Sequence, residues 1–184
     1  MTDLYKKSSS SRVTLSQLML PSHSNFSGKI HGGYLLSLMD QIAFACGSKF
    51  SGRYCVTASV DRVDFLNPIE VGELVTLKAS VIFVGNSSMV VGIRVEAQNI
   101  QTGKVKHCNS SYFTMIAKDE QGNNARVPRL ILTSKEEVLR FVKTTQRLKL
   151  RHSYAELCAD FDGDMQQAIQ NIQQHFDVRF ELPG

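Results

Sequence analysis

Asp40 is the one side chain that is charged at neutral pH in a largely apolar stretch that runs from Tyr34 to Cys46. The stretch holds no proline and no glycine, and Gly47 follows it directly, which predicts a helix that is apolar nearly all round and ends before Gly47. Such a helix has to be wrapped by other structure. A carboxylate buried there costs free energy unless a partner stabilises it. Asp40 is therefore a candidate general base or nucleophile, or else a structural carboxylate bonded to a hydroxyl such as that of Ser37.

Gly32 and Gly33 precede this helix and would form its first turn. The first backbone N–H groups of a helix have no acceptor within the helix, and the helix dipole is positive at that end. These groups are suited to stabilise a developing oxyanion, and two glycines let another molecule approach them closely. The alternative is that the glycines only allow a tight turn into the helix.

Further motifs surround the helix and together resemble one family. In chain order they are Asn25, Gly28, His31-Gly32-Gly33, Met39-Asp40, Thr57-Ala58-Ser59-Val60-Asp61 and Phe65-Leu66-Asn67-Pro68. Over residues 13–130 this combination resembles the acyl-CoA hydrolases of the hotdog-fold thioesterase superfamily. The resemblance implies an α+β hotdog fold, with a curved antiparallel sheet wrapped around a long central helix. It also implies hydrolysis of fatty acyl-CoA to free fatty acid and coenzyme A.

The same resemblance assigns the catalytic roles to Asp40 and Asn25, whose fifteen-residue interval matches the family pattern. Asp40 would activate water or attack directly, and Asn25 of the partner subunit would orient the water or the carbonyl. In a helix that begins near His31, Asp40 lies about 13 Å from the first N–H groups, so one chain does not readily bring both to a single carbonyl. Two antiparallel helices do. The resemblance thus implies a homodimer with shared active sites, and a trimer of such dimers.

Two features qualify this mechanism. The chain holds no G-x-S-x-G motif, so a serine triad of the α/β-hydrolase type has no support. Relatives commonly carry an acidic residue after the catalytic aspartate, whereas this chain has Gln41, which changes the local charge and leaves the other groups in place. His31 is predicted to cap or shape the helix start.

Substrate-binding residues are predicted in three groups. Leu36, Met39 and Ala43 would line the acyl tunnel. Asn86, Ser87 and Ser88 resemble the family segment near the CoA nucleotide, and Arg126 and Arg129 would supply charge for its phosphates. Ser59 belongs to the motif after the helix and is assigned to substrate binding with it. Coenzyme A is part of the substrate and product, and neither a separate cofactor nor a metal is expected.

The elements that must position these residues follow from alternating apolar side chains. Strands are predicted at Tyr54–Phe65, Glu73–Val84, Ser88–Asn99 and Val105–Ala117, with one more at Arg12–Leu20. In the second of these, Val75 to Phe83 alternate with polar residues that include Glu73. In the third, Met89, Val91, Ile93, Val95 and Ala97 share one face. The pattern predicts an antiparallel meander of four strands after the helix, with a fifth strand before it, bent around the helix.

The two ends of the chain differ from this core. Ser8–Ser11 is interpreted as a short mobile spacer. Ser134-Lys135-Glu136-Glu137 has the spacing of a capping box and predicts a helix start. Helical spacing of Met165, Ala168, Ile169, Ile172 and Phe176 predicts a second helix after the break at Asp162-Gly163. The chain is accordingly divided into a catalytic domain, 12–130, and a helical extension, 131–184, that packs on the core or between subunits.

Composition limits the remaining function classes. With 184 residues and 42% hydrophobic content, the chain can bury one core. Its four cysteines lie far apart, which favours neither a zinc site nor a disulfide framework and suits a reducing cytoplasm. There is no apolar run of membrane-spanning length and no signal-peptide pattern, so we expect no membrane partner. The net charge of +4 is scattered, which argues against nucleic acid and suits a small anionic ligand.

Two alternatives to hydrolysis stay open at this point. A hotdog hydratase or dehydratase would use a histidine with a carboxylate, and His31 is its only support. A non-catalytic acyl-CoA-binding sensor is the other, and the pairing of Asn25 with Asp40 weighs against it.

Overall fold

The structure is a computed structural model that describes residues 4–61, 63–157, 163–175, 178 and 180. Within these residues the chain forms seven strands and three α-helices. In chain order they are β1 (Tyr5–Lys7), β2 (Val13–Leu18), α1 (Gly32–Ser51), β3 (Tyr54–Val60), β4 (Glu73–Val84), β5 (Ser88–Asn99), β6 (Val105–Lys118), β7 (Arg129–Ile131), α2 (Lys135–Leu157) and α3 (Met165–His175).

Five of the strands form one antiparallel sheet in the order β2-β4-β5-β6-β3. The sheet curls around α1, which confirms the hotdog architecture expected from the sequence. The predicted four-strand meander is wrong in one respect, because β3 pairs with β6 at the far edge and only β4, β5 and β6 follow one another as hairpins. The chain therefore has to cross from one edge of the sheet towards the other between β3 and β4.

The central helix α1 is longer than the sequence predicted. It continues through Gly47 to Ser51 and ends at Gly52, whose left-handed conformation, with φ of 71°, closes the last turn. A side chain at Gly47 would meet Met115 and Met89 at 3.5 Å, so this glycine lets the helix pack closely on the sheet instead of ending it.

Only one face of α1 is buried. That face holds Leu35, Leu38, Met39, Ile42, Ala43, Cys46, Gly47 and Phe50. On the opposite face Leu36 and Phe44 are 36% and 40% exposed, and Asp40 is exposed as well. The expectation of a helix wrapped on all sides is therefore wrong for the single chain, which leaves one side of its most apolar helix open.

The alternation of apolar residues in β4 and β5 is confirmed from Val75 to Val81, with Val75, Leu77, Ala79 and Val81 buried against Met89, Val91, Ile93, Val95 and Ala97. It is wrong for Phe83, because the strand register shifts after Val81 and leaves Phe83 half-buried and paired with Val90. Glu73 is a second exception. It lies on the inner face, 7% exposed, where its carboxylate pairs with Lys106 at 2.9 Å and accepts the Glu70 N–H at 2.8 Å. The sequence placed Glu73 with the polar side, although its position in the alternation is that of Val75.

Strand β3 ends at Val60, five residues before the predicted end at Phe65. The chain beyond it still runs beside β6, since the Asp61 N–H donates to the Tyr112 carbonyl and the Leu66 N–H donates to the Cys108 carbonyl. These separated bonds do not make a ladder. They do hold the segment before Pro68 near the start of β6.

The serine run at residues 8–11 is a packed 3-10 helix, so its interpretation as a mobile spacer is wrong. Ser8 and Ser11 are buried, at 4% and 0% exposure. Ser8 Oγ donates to the Val81 carbonyl, and the Val81 N–H donates to Ser11 Oγ at 2.8 Å. The run therefore provides hydrogen-bond partners for the Val81 backbone groups of β4, which lie past the point where β2 begins its pairing with β4. Just before it, β1 pairs in parallel with β7.

The chain divides into two compact units, the first ending at Gln146 and the second beginning at Arg147. The first unit thus extends past residue 130, where the sequence placed the domain boundary. As predicted, α2 begins after Ser134, whose Oγ accepts the Glu137 N–H at 3.2 Å. The Glu137 carboxylate accepts from the Thr133 N–H and hydroxyl, and the Thr133 N–H is the main cause that lowers the pKa of this carboxyl, with a smaller contribution from the Ser134 backbone. Phe141 packs against Phe83 of β4.

The second unit contains α3, which confirms the helix predicted there. Phe176 and Asp162, which the prediction also used, lie outside the described residues. No helix in the described part of the chain combines the length and the apolar character needed to cross a bilayer.

Candidate active site

Asp40 is held by a side chain from the sheet. Thr57 Oγ1 of β3 donates to Asp40 Oδ1 at 2.5 Å, and the same hydroxyl lies 3.5 Å from Met115 Sδ. Ser37, the hydroxyl that the sequence offered as a partner, instead accepts from Gln41 Nε2. Asp40 is exposed in the single chain rather than buried. The carboxylate is thus fixed in orientation by one short, charge-assisted bond and still accessible from the open face of α1.

Asn25 lies in a small loop before α1. Its Oδ1 accepts from the Ser27 N–H at 3.0 Å, the Lys29 N–H at 3.1 Å and the Ser27 hydroxyl at 2.8 Å. Gly28 takes a positive φ of 76°, which lets its N–H donate to the Asn25 carbonyl. Because two backbone N–H groups can only donate, they fix the amide with Oδ1 inward. The amide is planar, so its NH2 group points away from the loop, and Asn25 offers donors to a carbonyl or a water.

The helix start is shaped by two aromatic rings. His31 is the N-cap, and its Nδ1 accepts the Gly33 N–H at 2.9 Å, which confirms the capping role predicted for this histidine. A Cβ on Gly33 would lie 2.9 Å from the His31 ring, and one on Gly32 would lie 3.2 Å from Phe65. Both glycines make room for a neighbouring ring. Their role as oxyanion donors stays a prediction. For Gly33, this role requires that the hydrogen bond from its N–H to His31 Nδ1 is broken.

The predicted nucleotide-binding residues come together at the β4–β5 turn. The Val127 N–H donates to the Asn86 carbonyl, the Ala117 N–H donates to the Ser87 carbonyl, and Arg129 donates to the Gly85 carbonyl at 2.8 Å. Arg129 is half-buried by this contact, whereas Arg126 is exposed. Ser88 accepts the Gly85 N–H through its carbonyl. Hydrogen bonds thus join the turn to Val127 and Arg129, and they bring the Arg129 guanidinium to the turn.

The residues predicted to line the acyl tunnel do not share one environment. Met39 and Ala43 are fully buried between α1 and the sheet, whereas Leu36 lies at the edge of the open face. Ser59 lies at a register irregularity in β3, opposite Thr114.

Cysteine chemistry is disfavoured by burial. Cys46, Cys55 and Cys108 are buried free thiols. Burial raises the pKa of Cys46 to about 12 and also raises the pKa of Cys108. Both are therefore protonated near neutral pH and are poor nucleophiles. The described residues also contain no group of three histidine, cysteine or acidic side chains that could hold a metal ion.

Within one chain the two halves of the candidate machinery are separate. Asn25, His31 and the glycines lie at the helix start, and Asp40 lies eight residues along α1, about 12 Å away. Thr57 is the functional candidate that sequence reasoning left unassigned. The available signal was its place in the motif that follows α1, but only the pairing of β3 with β6 shows that its hydroxyl reaches Asp40.

Comparison with known proteins supports one family. A sequence model of the Thioesterase superfamily matches residues 27–104. Protein VdlD of Helicobacter pylori is 39% identical over 140 residues, which cover 76% of this chain and 80% of that protein. The uncharacterized acyl-CoA thioester hydrolase YkhA of Bacillus subtilis is 34% identical over 150 residues, covering 79% and 87% respectively.

Solved structures agree with these relatives. An apo-hexameric acyl-CoA thioesterase superposes with a TM-score of 0.80 at 33% identity, covering 83% of this chain and 97% of that one. The acyl-CoA hydrolase of Staphylococcus aureus, solved with butyryl coenzyme A and coenzyme A, superposes with a TM-score of 0.77 at 28% identity, covering 92% of this chain and 99% of that one. For that enzyme, three single variants have been solved, in which alanine replaces an asparagine, an aspartate or a threonine. The aspartate follows the asparagine by fifteen residues, and the threonine follows the aspartate by seventeen. The chain therefore belongs to the thioesterase superfamily, and within it to the hotdog-fold acyl-CoA thioester hydrolases.

Proposed function

We propose that this protein hydrolyses fatty acyl-CoA thioesters to free fatty acid and coenzyme A, with Asp40 as general base or nucleophile. The observation that carries the proposal is the bond from Thr57 to Asp40, which orients an accessible carboxylate. Asn25, Asp40 and Thr57 also follow one another at fifteen and seventeen residues, the spacing of the three positions altered in the S. aureus enzyme. Spacing and geometry support the same three residues.

The proposed reaction places Asp40 beside the thioester carbonyl. As a base, the carboxylate takes a proton from water while the water oxygen attacks the carbonyl carbon. The oxyanion that forms accepts hydrogen bonds from N–H donors at the helix start and from the Asn25 amide. Collapse breaks the carbon–sulfur bond, and the CoA sulfur receives a proton. As a nucleophile, Asp40 would first form an anhydride, which water then hydrolyses. Neither route needs a metal or a further cofactor.

The proposed active site is shared between two subunits. The open face of α1 leaves Leu36 and Phe44 exposed, and Phe26 beside Asn25 is fully exposed. A second chain with its helix antiparallel would cover these side chains and bring its Asn25 loop towards Asp40. The hexameric relative supports a trimer of such dimers for this chain too.

The CoA nucleotide is proposed to bind at the β4–β5 turn. Asn86, Ser87 and Ser88 offer backbone and side-chain polar groups there, and Arg126 and Arg129 supply positive charge for phosphates. Free buried thiols support the reducing cytoplasm as the compartment. The hydratase alternative is weaker, because His31 already uses its Nδ1 to cap the helix. A non-catalytic sensor gives no reason for the Thr57–Asp40 bond.

The first test is release of free thiol from acyl-CoAs of graded chain length by wild type and Asp40→Asn. The amide keeps the shape of the carboxylate but cannot accept the proton, so we expect turnover to fall by at least about 100-fold. Gln41→Glu is the matched control, because it alters charge at the next position and should keep activity. Wild-type turnover by Asp40→Asn would refute the assignment.

The shared site is tested by mixing two inactive variants. Asn25→Ala and Asp40→Asn homodimers would each lack half of every site. In a heterodimer, one site joins an intact Asn25 to an intact Asp40. Random reassortment makes about half of the dimers mixed, each with one of two sites intact, so about a quarter of wild-type activity should return. Absence of recovery after verified subunit exchange would exclude a site divided between chains.

A further inference from the structure

Strand β6 carries two buried polar side chains on its inner face, and each of them has an oxygen atom whose loss of hydration is not offset by a hydrogen bond. Asn109 and Ser111 are both 0% exposed. Asn109 Nδ2 donates to the Asp64 carbonyl at 2.8 Å, which fixes the amide. Asn109 Oδ1 and Ser111 Oγ, however, find no hydrogen-bond partner among the described residues. Buried polar atoms in native proteins are nearly always satisfied, so a pair of unsatisfied atoms two residues apart requires an explanation.

The surrounding sheet is apolar. Asn109 is paired with Val95 and Ser111 with Ile93, and both partners are buried. The next strand continues these rows with Leu77 and Ala79, which are also buried. The unsatisfied amide oxygen and hydroxyl therefore stand alone in an apolar layer that packs against α1. Valine or alanine at both positions would fill this layer without the desolvation cost.

Within one chain, the pair lies between the start of α1 and Asp40. Phe65 contacts Gly32, and the neighbouring Leu66 N–H bonds to the Cys108 carbonyl, so the start of α1 is near Cys108. At the other end, Thr57 holds Asp40 and is paired with Met115. Asn109 and Ser111 fall between Cys108 and Met115 on the inner face. They thus lie under the first half of α1, along which an acyl group would extend from the helix start.

We propose that Asn109 Oδ1 and Ser111 Oγ form a polar subsite for a hydroxyl group carried by the acyl chain, so that hydroxyacyl-CoA thioesters are favoured substrates. This proposal rests on the acyl-CoA hydrolase function proposed above. A hydroxyl is the group that satisfies both atoms, since it donates to the amide oxygen and accepts from the serine hydroxyl. A plain acyl chain leaves both unsatisfied, and a ketone can only accept from Ser111. A site built for a hydroxyl discriminates against analogues that lack it.

The test compares wild type, Ser111→Ala and the control Ser110→Ala. Ser110 is the adjacent serine on the exposed face of the same strand, where its hydroxyl meets His107. The substrates are butyryl-CoA, 3-hydroxybutyryl-CoA, 4-hydroxybutyryl-CoA and 3-oxobutyryl-CoA. We expect wild type and Ser110→Ala to show higher kcat/KM for a hydroxybutyryl ester than for butyryl-CoA. Ser111→Ala should lower that ratio about fivefold to tenfold, the effect of one lost hydrogen bond to the hydroxyl of the ester.

Two further readouts separate failure of this proposal from failure of the hydrolase function. If wild type cleaves butyryl-CoA but the hydroxyl changes nothing, or if Ser111→Ala and Ser110→Ala behave alike, the polar subsite is refuted and the hydrolase stands. If no ester is cleaved, the difference in thermal shift between hydroxybutyryl-CoA and butyryl-CoA still measures the subsite, and Ser111→Ala should abolish it. Ser111→Ala alone should unfold no more easily than wild type. Clear destabilisation would assign the hydroxyl to an internal structural network and overturn the proposal.

Discussion

Replacing Thr57 by valine tests whether the orientation of Asp40 matters for turnover. Valine keeps the branched shape of threonine and suits a strand, but it removes the hydroxyl that donates to Asp40 Oδ1. We expect the kcat of Thr57→Val to fall while KM changes little, because the bond holds a reacting group rather than the body of the substrate. Thr57→Ser keeps the hydroxyl and should retain most of the activity.

The magnitude follows from the kind of bond that is lost. A hydrogen bond to a charged group contributes about 1.5–3 kcal/mol, which corresponds to about 10-fold to 150-fold in rate if the whole bond acts in the transition state. Asp40 is exposed in the single chain, so water can replace part of the interaction. We therefore expect a loss of about 10-fold to 50-fold.

Free-thiol release with one acyl-CoA measures the four combinations of Thr57→Val and Asp40→Asn. If Thr57 acts through Asp40, adding Thr57→Val to Asp40→Asn should cost less than about twofold, since the group that it orients is already inactive. Wild-type kcat in Thr57→Val, or equal losses in the serine and valine variants, would refute the reasoning. A full second loss in the double variant would show that Thr57 acts independently of Asp40.

Three further predictions concern stability and reactivity. Ser11→Ala leaves the Val81 N–H unsatisfied and should lower the free energy of unfolding in urea by about 1–3 kcal/mol. Ser9→Ala, on the exposed side of the same turn, should stay within about 0.5 kcal/mol of wild type. Equal unfolding free energies for the two variants would exclude the packed role of the serines. Hydrogen bonds from Lys78 and Arg94 lower the pKa of Glu96 from 4.5 to about 2, so the stability that this carboxylate contributes is present above pH 4.5 and is lost as the pH falls towards 2. The difference in unfolding free energy between wild type and Glu96→Gln should therefore shrink as the pH is lowered across that window. A difference that does not change with pH would contradict the ion pairs. In the native state at pH 8, Cys46 should resist iodoacetamide, because with a pKa of about 12 only about one thiol in ten thousand is ionised. In guanidinium, which unfolds the protein, it should react. Rapid labelling of the native protein, measured by peptide mass spectrometry, would disprove its burial.

The long strands were predictable because their alternation is strong and local. Glu73–Val84 and Ser88–Asn99 have the predicted boundaries to the residue, since apolar side chains recur at every second position and Gly85-Asn86 marks the turn. The capping box at Ser134 located the start of α2 for the same reason. Signals of this kind depend on residues that are close in sequence, and the fold preserves them.

The errors arose where distant contacts decide the structure. The serine run has the composition of a linker, but hydrogen bonds to Val81, seventy residues away, make it a packed turn. Gly47 is a common helix terminator, yet contact with Met89 and Met115 makes it an internal residue of α1. Composition describes the tendency of a segment by itself, and in both cases tertiary contacts override that tendency.

The candidate site shows the same limit at the level of chemistry. Asp40 stood out because a lone carboxylate in an apolar helix is unusual, but the sequence could not choose its partner among nearby hydroxyls. Ser37 is one helical turn away and was the local choice. Thr57 is the actual donor because β3 crosses to the far edge of the sheet and pairs with β6, which places its hydroxyl beside the open face of α1. Strand order, which no local pattern encodes, therefore determines which hydroxyl binds the aspartate.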